Sequence, residues 1–242
     1  MWAAAAACCA RQVTTDQSAA RLGARVTGVD ASAENVSVAT LHASRDPALR
    51  VRGADEAPTD GSIAYQHTTA EALRDAGHQF DVVTAMEVVE HVNAPAEFLR
   101  CLASLVRPGG HIFMSTMART PLSYLLTIAM AEHLLRLVTP GTHRHAQYIN
   151  PNELVGFFRE LGWIRPPDDL SRRPQLPDGT PLAPVPARLQ FETRGTWYVP
   201  WTGRWELAAP AASDARGSGP SDGERLTEQC NYFFWVRRPM DQ

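Results

Sequence analysis

Apolar residues along this chain gather in short runs separated by polar connections, and the spacing within each run predicts its element. "ARVTGVDAS" (Ala24–Ser32) is a β-rich run containing the acid Asp30, and it follows a helix end at "ARLGA". "SIAYQHTTAEAL" predicts a second strand with Glu71 just past its end, and "FDVVTAME" a third. The third is almost wholly apolar, as suits a strand covered on both faces. In "AEFLRCLASLVRPGG" the residues Phe98, Leu99, Leu102, Leu105 and Val106 share one helical face, and Pro108, Gly109 and Gly110 predict the stop. "HIFMST" predicts a fourth strand. "INPNELVGFFRELGW" predicts a helix with Asn150 as N-cap, Pro151 at the first helical position and Glu153 at the third. "RGTWYVPWTGRWEL" and "CNYFFWVRR" predict closing antiparallel strands.

Strands alternating with helices through short connections predict an α/β fold, a mostly parallel, doubly wound sheet with a C-terminal antiparallel hairpin. The 242 residues suit one such domain with insertions. Three stretches read as loops: Arg45–Gly61, the proline-rich Pro166–Pro186, and Ala208–Thr227, rich in Ala, Ser, Gly and Asp. No internal repeat is visible.

Composition narrows the function. A formal net charge of −3 argues against nucleic acid as the main partner. Cys8, Cys9, Cys101 and Cys230 show no paired spacing, which fits a reducing compartment. No run reaches the roughly 18 apolar residues of a bilayer span. The start, "MWAAAAACCARQVTTDQ", has no basic n-region and no Arg-rich amphipathic character, so no transit peptide is readable.

In doubly wound sheets the ligand sits outside the C-terminal ends of the strands, and an acid ending the second strand commonly binds a ribose diol. Asp30 has that placement; the alternative is a helix N-cap after a strand. A glycine-rich turn should precede such an acid by about 20 residues. "ACCARQV" stands there instead, without a glycine, so the first strand and its loop read as missing or replaced. Glu87, Glu90 and His91 in "AMEVVEHV" are spaced so that one helical turn places all three on one face. Two carboxylates and an imidazole suit magnesium or zinc; the alternative is a solvated first turn favoured by the helix dipole. His143 and His145 in "PGTHRHAQY" are candidates for a general base, or solvated loop histidines.

"RLGARVTGVDAS", "FDVVTAMEVVEHV", "LVRPGGHIFMSTMARTPLSYLLTIAMAEHLLRLVTPGTH" and "YINPNEL" resemble the ubiquinone-biosynthesis O-methyltransferases. These are S-adenosylmethionine-dependent class I enzymes with a Rossmann-like fold. The resemblance runs from about Ser18 to "NYFFWVRRP", which sets a divergent N-terminus at 1–17 and a methyltransferase domain at 18–242. It implies that Asp30 binds the cofactor ribose, that Met86 lies against the cofactor and that "TTAEAL" approaches the adenine. It also implies that Glu87, Glu90 and His91 hold a divalent metal, magnesium first and zinc second. A Lewis acid on catechol oxygens would lower the hydroxyl pKa and align the oxygen with the methyl. Ala118 stands where the family carries Asn.

The implied reaction is O-methylation of a polyprenylated catechol or dihydroxybenzoate. A polyprenyl-tailed phenol is insoluble in water, so the enzyme must meet it at a membrane surface. "PLSYLLTIAMAEHLLRLV" has Leu122, Leu125, Leu126, Ala129 and Met130 close together, interrupted by Glu132, His133 and Arg136. It reads as an interfacial or substrate-covering helix, or as a core helix. Long Pro- and Gly-rich insertions point to a eukaryote, hence to the matrix side of the mitochondrial inner membrane and to other quinone-biosynthesis proteins as partners. Two rival readings are a non-catalytic, membrane-associated scaffold of that pathway and a methyltransferase acting on a soluble phenol.

Overall fold

The computed structural model describes residues 5–8, 13–53, 56, 58–134, 136, 139, 141–165, 190–199, 201–208 and 228–240. The chain divides into two compact units, Met1–Ser115 with Arg238–Gln242, and Thr116–Arg237. The expected loops 166–186 and 208–227 lie outside the described residues, apart from Ala208, as does the segment 9–12 where the glycine turn is missing.

The first unit holds β1 (Ala5–Cys8), β2 (Val26–Asp30), β3 (Arg50–Val51), β4 (Ser62–His67), β5 (Phe80–Met86) and β6 (Val106–Met117), whose last two residues enter the second unit. Their order is β3-β4-β2-β1-β5-β6, and every pairing is parallel. The connecting helices are α1 (Val13–Arg21), α2 (Ala33–Ser44), α3 (Ala70–Asp75) and α4 (Pro95–Leu105). Ile63, Val83, Leu102, Leu105, Ile112 and Met114 form buried core.

A first strand is present, so of the two sequence readings, missing or replaced, the structure removes the first. Ala5–Cys8 forms β1, paired with β2 through Ala5↔Val26 to Cys8↔Val29 and with β5 through Ala5↔Val82 to Ala7↔Thr84. Intrinsic β-propensity is a weak force beside two neighbours whose backbone groups both need partners, so an alanine run serves. The loop expected at 45–61 contains the two-residue edge strand β3. Helix α2 was not anticipated because its fully buried positions, Ala39 and Ala43, are small and leave little apolar periodicity. Ser32 starts it, its Oγ accepting the Asn35 N–H at 3.3 Å.

Helix α4 ends at Leu105, earlier than Pro108-Gly109-Gly110 predicted, and Val106 already has extended backbone angles and pairs with Phe80. A Cβ on Gly110 would lie 2.6 Å from the Asp81 carbonyl oxygen, so the glycine permits the strand approach instead of stopping a helix. In β2, a Cβ on Gly28 would lie 2.4 Å from the Tyr65 ring. Gly28→Ala should therefore cost about 1–3 kcal/mol in urea unfolding; an unchanged midpoint would show that Tyr65 moves aside freely.

The second unit holds β7 (Phe191–Val199), β8 (Arg204–Leu207) and β9 (Asn231–Arg237), antiparallel in the order β9-β7-β8. Side-chain alternation in β9 buries Tyr232, Phe234 and Val236 and leaves Phe233 exposed; Phe191 and Val199 of β7 are also buried, whereas Tyr198 and the whole of β8, with Trp205 and Leu207, are exposed. Helix α5 (Pro121–Ser123) continues into a π-helical segment, Tyr124–Leu134. Helix α6 (Pro151–Glu160) starts as expected, with the Asn150 N–H donating to Glu153 Oε2 at 2.7 Å. Its Phe158 stacks on Phe234, ring centroids 5.6 Å apart, and meets Trp163 at 5.3 Å.

Candidate functional site

Because the first unit's strands run parallel, their C-terminal ends share one edge. From β1 the chain steps one way to β2 and β4, then returns to β5 and β6 on the other side. That reversal is the switch point at which doubly wound sheets bind ligands. Cys8 pairs with Val29, and Ala7 with Thr84, so Asp30 and Met86 each extend one residue beyond the level of Cys8. They flank β1, two strand spacings or roughly 10 Å apart across the sheet.

Asp30 occupies the strand end and also supports the following helix. Its Oδ1 accepts the Ser32 N–H at 2.7 Å, and Asn35 Nδ2 donates to both carboxylate oxygens at 3.3 and 3.2 Å. The two roles suggested by sequence are therefore compatible, since the cap is Ser32 and the half-buried Asp30 carboxylate is held oriented beside it. Thr69 caps α3, its Oγ1 accepting the Ala72 N–H at 3.3 Å, which places the "TTAEAL" stretch just past β4.

Sequence reasoning missed Asp16. It sits in the first turn of α1, is buried, and among the described residues neither carboxylate oxygen has a hydrogen-bond partner. Burial pushes its carboxyl up to about 7. It faces Gly28, where a Cβ would lie 3.3 Å from Asp16 Oδ2. Burial first, and then the Asp16 charge, hold the Tyr65 phenol above its ordinary value, against the opposing influence of Gln17. Gln17 also meets His42 Nδ1, at 3.0 Å from Nε2 and 3.2 Å from Oε1. Asp16 and Ala20 are four apart on one buried face of α1, which becomes visible only in the fold.

The triplet does not share a helical face. Only Val89–His91 is helical, as a single 3-10 turn, and Glu87 lies outside it with φ +51°. The three-and-four spacing aligns side chains only on a continuous α-helix, and the left-handed residue at Glu87 breaks that geometry. Glu87 is instead tied to β6: its N–H lies 2.9 Å from the Ser115 carbonyl, and Ser115 Oγ donates to Glu87 Oε1 at 2.7 Å. Glu90 is buried, whereas His91 is exposed. Among the described residues no group of three or more His, Cys, Asp or Glu side chains is arranged to hold a metal ion. Glu87, Glu90 and His91 are thus not gathered into one such group among the described residues.

A family described as a methyltransferase domain matches residues 8–164. The chain belongs to that methyltransferase family. Among curated relatives, the mitochondrial ubiquinone biosynthesis O-methyltransferase of Schizosaccharomyces pombe is 38% identical over 93% of this chain and 65% of its own length. Those of Roseobacter denitrificans and Colwellia psychrerythraea are 43% and 45% identical, covering 59% and 60% of this chain and 52% and 54% of theirs. The chain thus spans between about half and two-thirds of the relatives it matches. Among solved structures, the plantazolicin methyltransferase BpumL, in complex with a triazolic desmethylPZN analog and SAH, has a TM-score of 0.54 at 11% identity, covering 99% of this chain and 78% of its own. N-methyltransferase NodS from Bradyrhizobium japonicum, in complex with S-adenosyl-L-homocysteine, has a TM-score of 0.50 at 10% identity, covering 98% and 79%. At such identities the likeness shows the fold alone: the class I methyltransferase fold.

The second unit of the chain places the other candidates. Ala118 is buried, and its N–H donates to the Cys230 carbonyl at 2.7 Å. Arg119 donates from Nε to the Tyr148 carbonyl at 2.9 Å and from its guanidinium to both Glu153 oxygens at 2.9 and 3.0 Å. His145 Nε2 lies 3.0 Å from the Thr120 carbonyl, which accepts its proton, and the ring packs edge-on against Tyr124 and Tyr148. His143 lies against Glu132. Among the described residues, no helix is long and apolar enough to cross a membrane.

Proposed function

We propose that this chain transfers a methyl group from S-adenosylmethionine to a phenolic hydroxyl of a polyprenylated catechol or dihydroxybenzoate in ubiquinone biosynthesis. The observation that carries the reading is Asp30, an oriented carboxylate one residue past the central strand's end at the switch point. A carboxylate there accepts hydrogen bonds from a ribose diol, and Met86 gives the opposite side of the crevice an apolar wall. The bound cofactor supplies an electrophilic methyl on a sulfonium; the protein's share is to align the hydroxyl and accept its proton. The substrate class follows the names of the relatives.

A divalent ion on Glu87, Glu90 and His91 rests on the family resemblance alone, and no step is derived through it. Membrane association is supported by the apolar side chains that the second unit exposes, Leu125, Leu126 and Trp205 among them. A mitochondrial location follows the first relative's name; the matrix side of the inner membrane and other quinone-biosynthesis proteins as partners rest on the family resemblance alone. The glycine-free stretch between Cys8 and Val13 favours one rival, a non-catalytic scaffold on the same membrane.

The test is transfer of labelled methyl to a polyprenyl catechol in liposomes, with calorimetric titration of the cofactor. Asp30→Asn keeps an acceptor for Ser32 but loses the charge, and should weaken cofactor binding about tenfold or more with the melting temperature unchanged. Equal affinity removes Asp30 from the site. Cofactor binding without any methyl transfer supports the scaffold, and undiminished transfer in excess chelator ends the metal proposal.

A further inference from the structure

Strand β8 ends the second unit's antiparallel sheet, with β7 as its one neighbour among the described residues. β7 pairs with β9 through Phe191↔Val236 to Thr196↔Asn231, and with β8 through Thr196↔Leu207 to Val199↔Arg204. The two ladders overlap at Thr196 alone, so beyond it β7 and β8 form a two-stranded ribbon. A lone ribbon is marginally stable in water. This one exposes Trp197, Tyr198, Trp205 and Leu207, with Trp201 of its turn 86% exposed.

The ladder also determines which backbone groups face the edge. The Ala208 N–H donates to the Gly195 carbonyl at 2.8 Å, and in an antiparallel ladder bonded and non-bonded pairs alternate. Arg204 and Glu206 therefore turn their N–H and C=O groups toward β7, while Trp205 and Leu207 turn theirs away from it. Edge strands in water are commonly blunted by proline, lysine or a bulge. Arg204-Trp205-Glu206-Leu207 has none of these, and its register with β7 is unbroken.

The edge is complementary to itself. A second β8 laid antiparallel and centred on Trp205 sets that residue against Trp205 of the second copy, and both then point backbone donors and acceptors across the edge. The same alignment sets Arg204 against Glu206 of the second copy, and Glu206 against Arg204 of the second copy. These fall on non-bonded pairs, where side chains approach most closely, so one two-fold axis creates two contacts between opposite charges. All four side chains of β8 are exposed and free to meet in this way. A bilayer would leave the outward N–H and C=O groups without partners and would disfavour both charges. A strand of a different protein would fill the edge, but only a two-fold pairing needs charges placed symmetrically about Trp205.

We propose that β8 is a self-association edge, through which two copies of this chain pair β8 with β8, antiparallel about Trp205, into one continuous sheet. The pairing uses the edge and leaves the face of Tyr198, Trp205 and Leu207 open. It is independent of the reaction catalysed, so an inactive chain would pair equally well.

The experiment is analytical ultracentrifugation of the full chain without lipid or detergent, from about 1 to 100 µM. A four-residue ladder with its flanking aromatics covers less than the roughly 1,600 Å² of a standard interface, so the wild type should dimerise with a dissociation constant on the order of micromolar. Arg204→Glu and Glu206→Arg each set like charges opposite one another twice, and each should weaken the dimer about tenfold or more. Mixed in equal amounts, the two variants should regain the dimer, because every facing pair is then of opposite sign. Trp205→Pro removes an N–H that crosses the edge and none that bonds β7, and should abolish dimerisation. Should that variant fail to fold, the mixing result still decides, since both charge changes are at exposed positions. A wild type that stays monomeric throughout overturns the proposal. So does a dimer indifferent to the charge variants, which would lie on another surface. A monomer whose tryptophan fluorescence shifts to the blue on neutral vesicles would give the ribbon to lipid, and overturns it as well.

Discussion

Asp16→Asn should stabilise the protein at pH 8 by on the order of 2–4 kcal/mol, with the gain shrinking toward zero as pH falls to 4. The carboxyl is buried at the start of α1 and, among the described residues, has no hydrogen-bond partner on either oxygen. Burial therefore favours its neutral form and raises it from 3.8 in the unfolded chain to about 7 in the fold. The folded value lies above the unfolded one, so the folded state binds the extra proton between them. Stability from this group is fully present below pH 3.8 and is lost as pH rises through about 7. The full interval corresponds to about 4 kcal/mol, and relaxation or water reaching the site reduces it. Asn has the same shape and never ionises, so its stability should not suffer this loss as pH rises. The measurement is urea unfolding of both proteins from pH 4 to pH 8, read as the difference between them, in which other titrating groups cancel. A difference that does not change with pH would mean that Asp16 is ionised and solvated.

Legibility from sequence followed the size and continuity of the signal. Strand β5 and helix α6 were readable because "FDVVTAM" is long and apolar, and because Asn150, Pro151 and Glu153 mark a helix start locally. Strand β1 and helix α2 were not. Their alanines carry almost no pattern, and β1 is held by neighbours distant in sequence. Asp30 and Met86 were placed correctly at strand ends since strand direction alone determines that. The triplet spacing presupposed a helix that Glu87, at φ +51°, does not enter, and no residue pattern announces that reversal. The Glu132–His143 contact depends on a chain reversal through Gly141, and so the histidine was visible as a candidate while its partner was not. Asp16 was hidden by type, because an acid in a helix's first turn normally signals solvent and dipole, not burial.

Leu125→Glu combined with Leu126→Glu should reduce liposome binding by roughly 100-fold while leaving the melting temperature nearly unchanged. The segment Tyr124–Leu134 is turned inside out relative to a helix that faces water. Its acid Glu132 is buried at 1% exposure, whereas Leu125, Leu126 and Leu134 are 51%, 44% and 69% exposed. A water-facing surface gains nothing from such leucines, and clustered apolar exposure of this kind marks a surface that meets lipid or another apolar partner. Leu122 and Tyr124 are also exposed beside them. Burying a leucine fully is worth about 1.5–3 kcal/mol; two half-exposed ones transfer part of that to a bilayer interface, and a charge in each place adds a penalty. The fold should tolerate the change because the buried contacts in this segment run through Ile128 and Glu132, not through these two positions. Co-sedimentation with anionic vesicles, alongside a thermal melt, is the measurement. Unchanged binding with a normal melt would move the lipid contact elsewhere, for instance to the outer face carrying Tyr198 and Trp205, whose rings pack 5.7 Å apart. A collapsed melt would instead show that these leucines belong to the core.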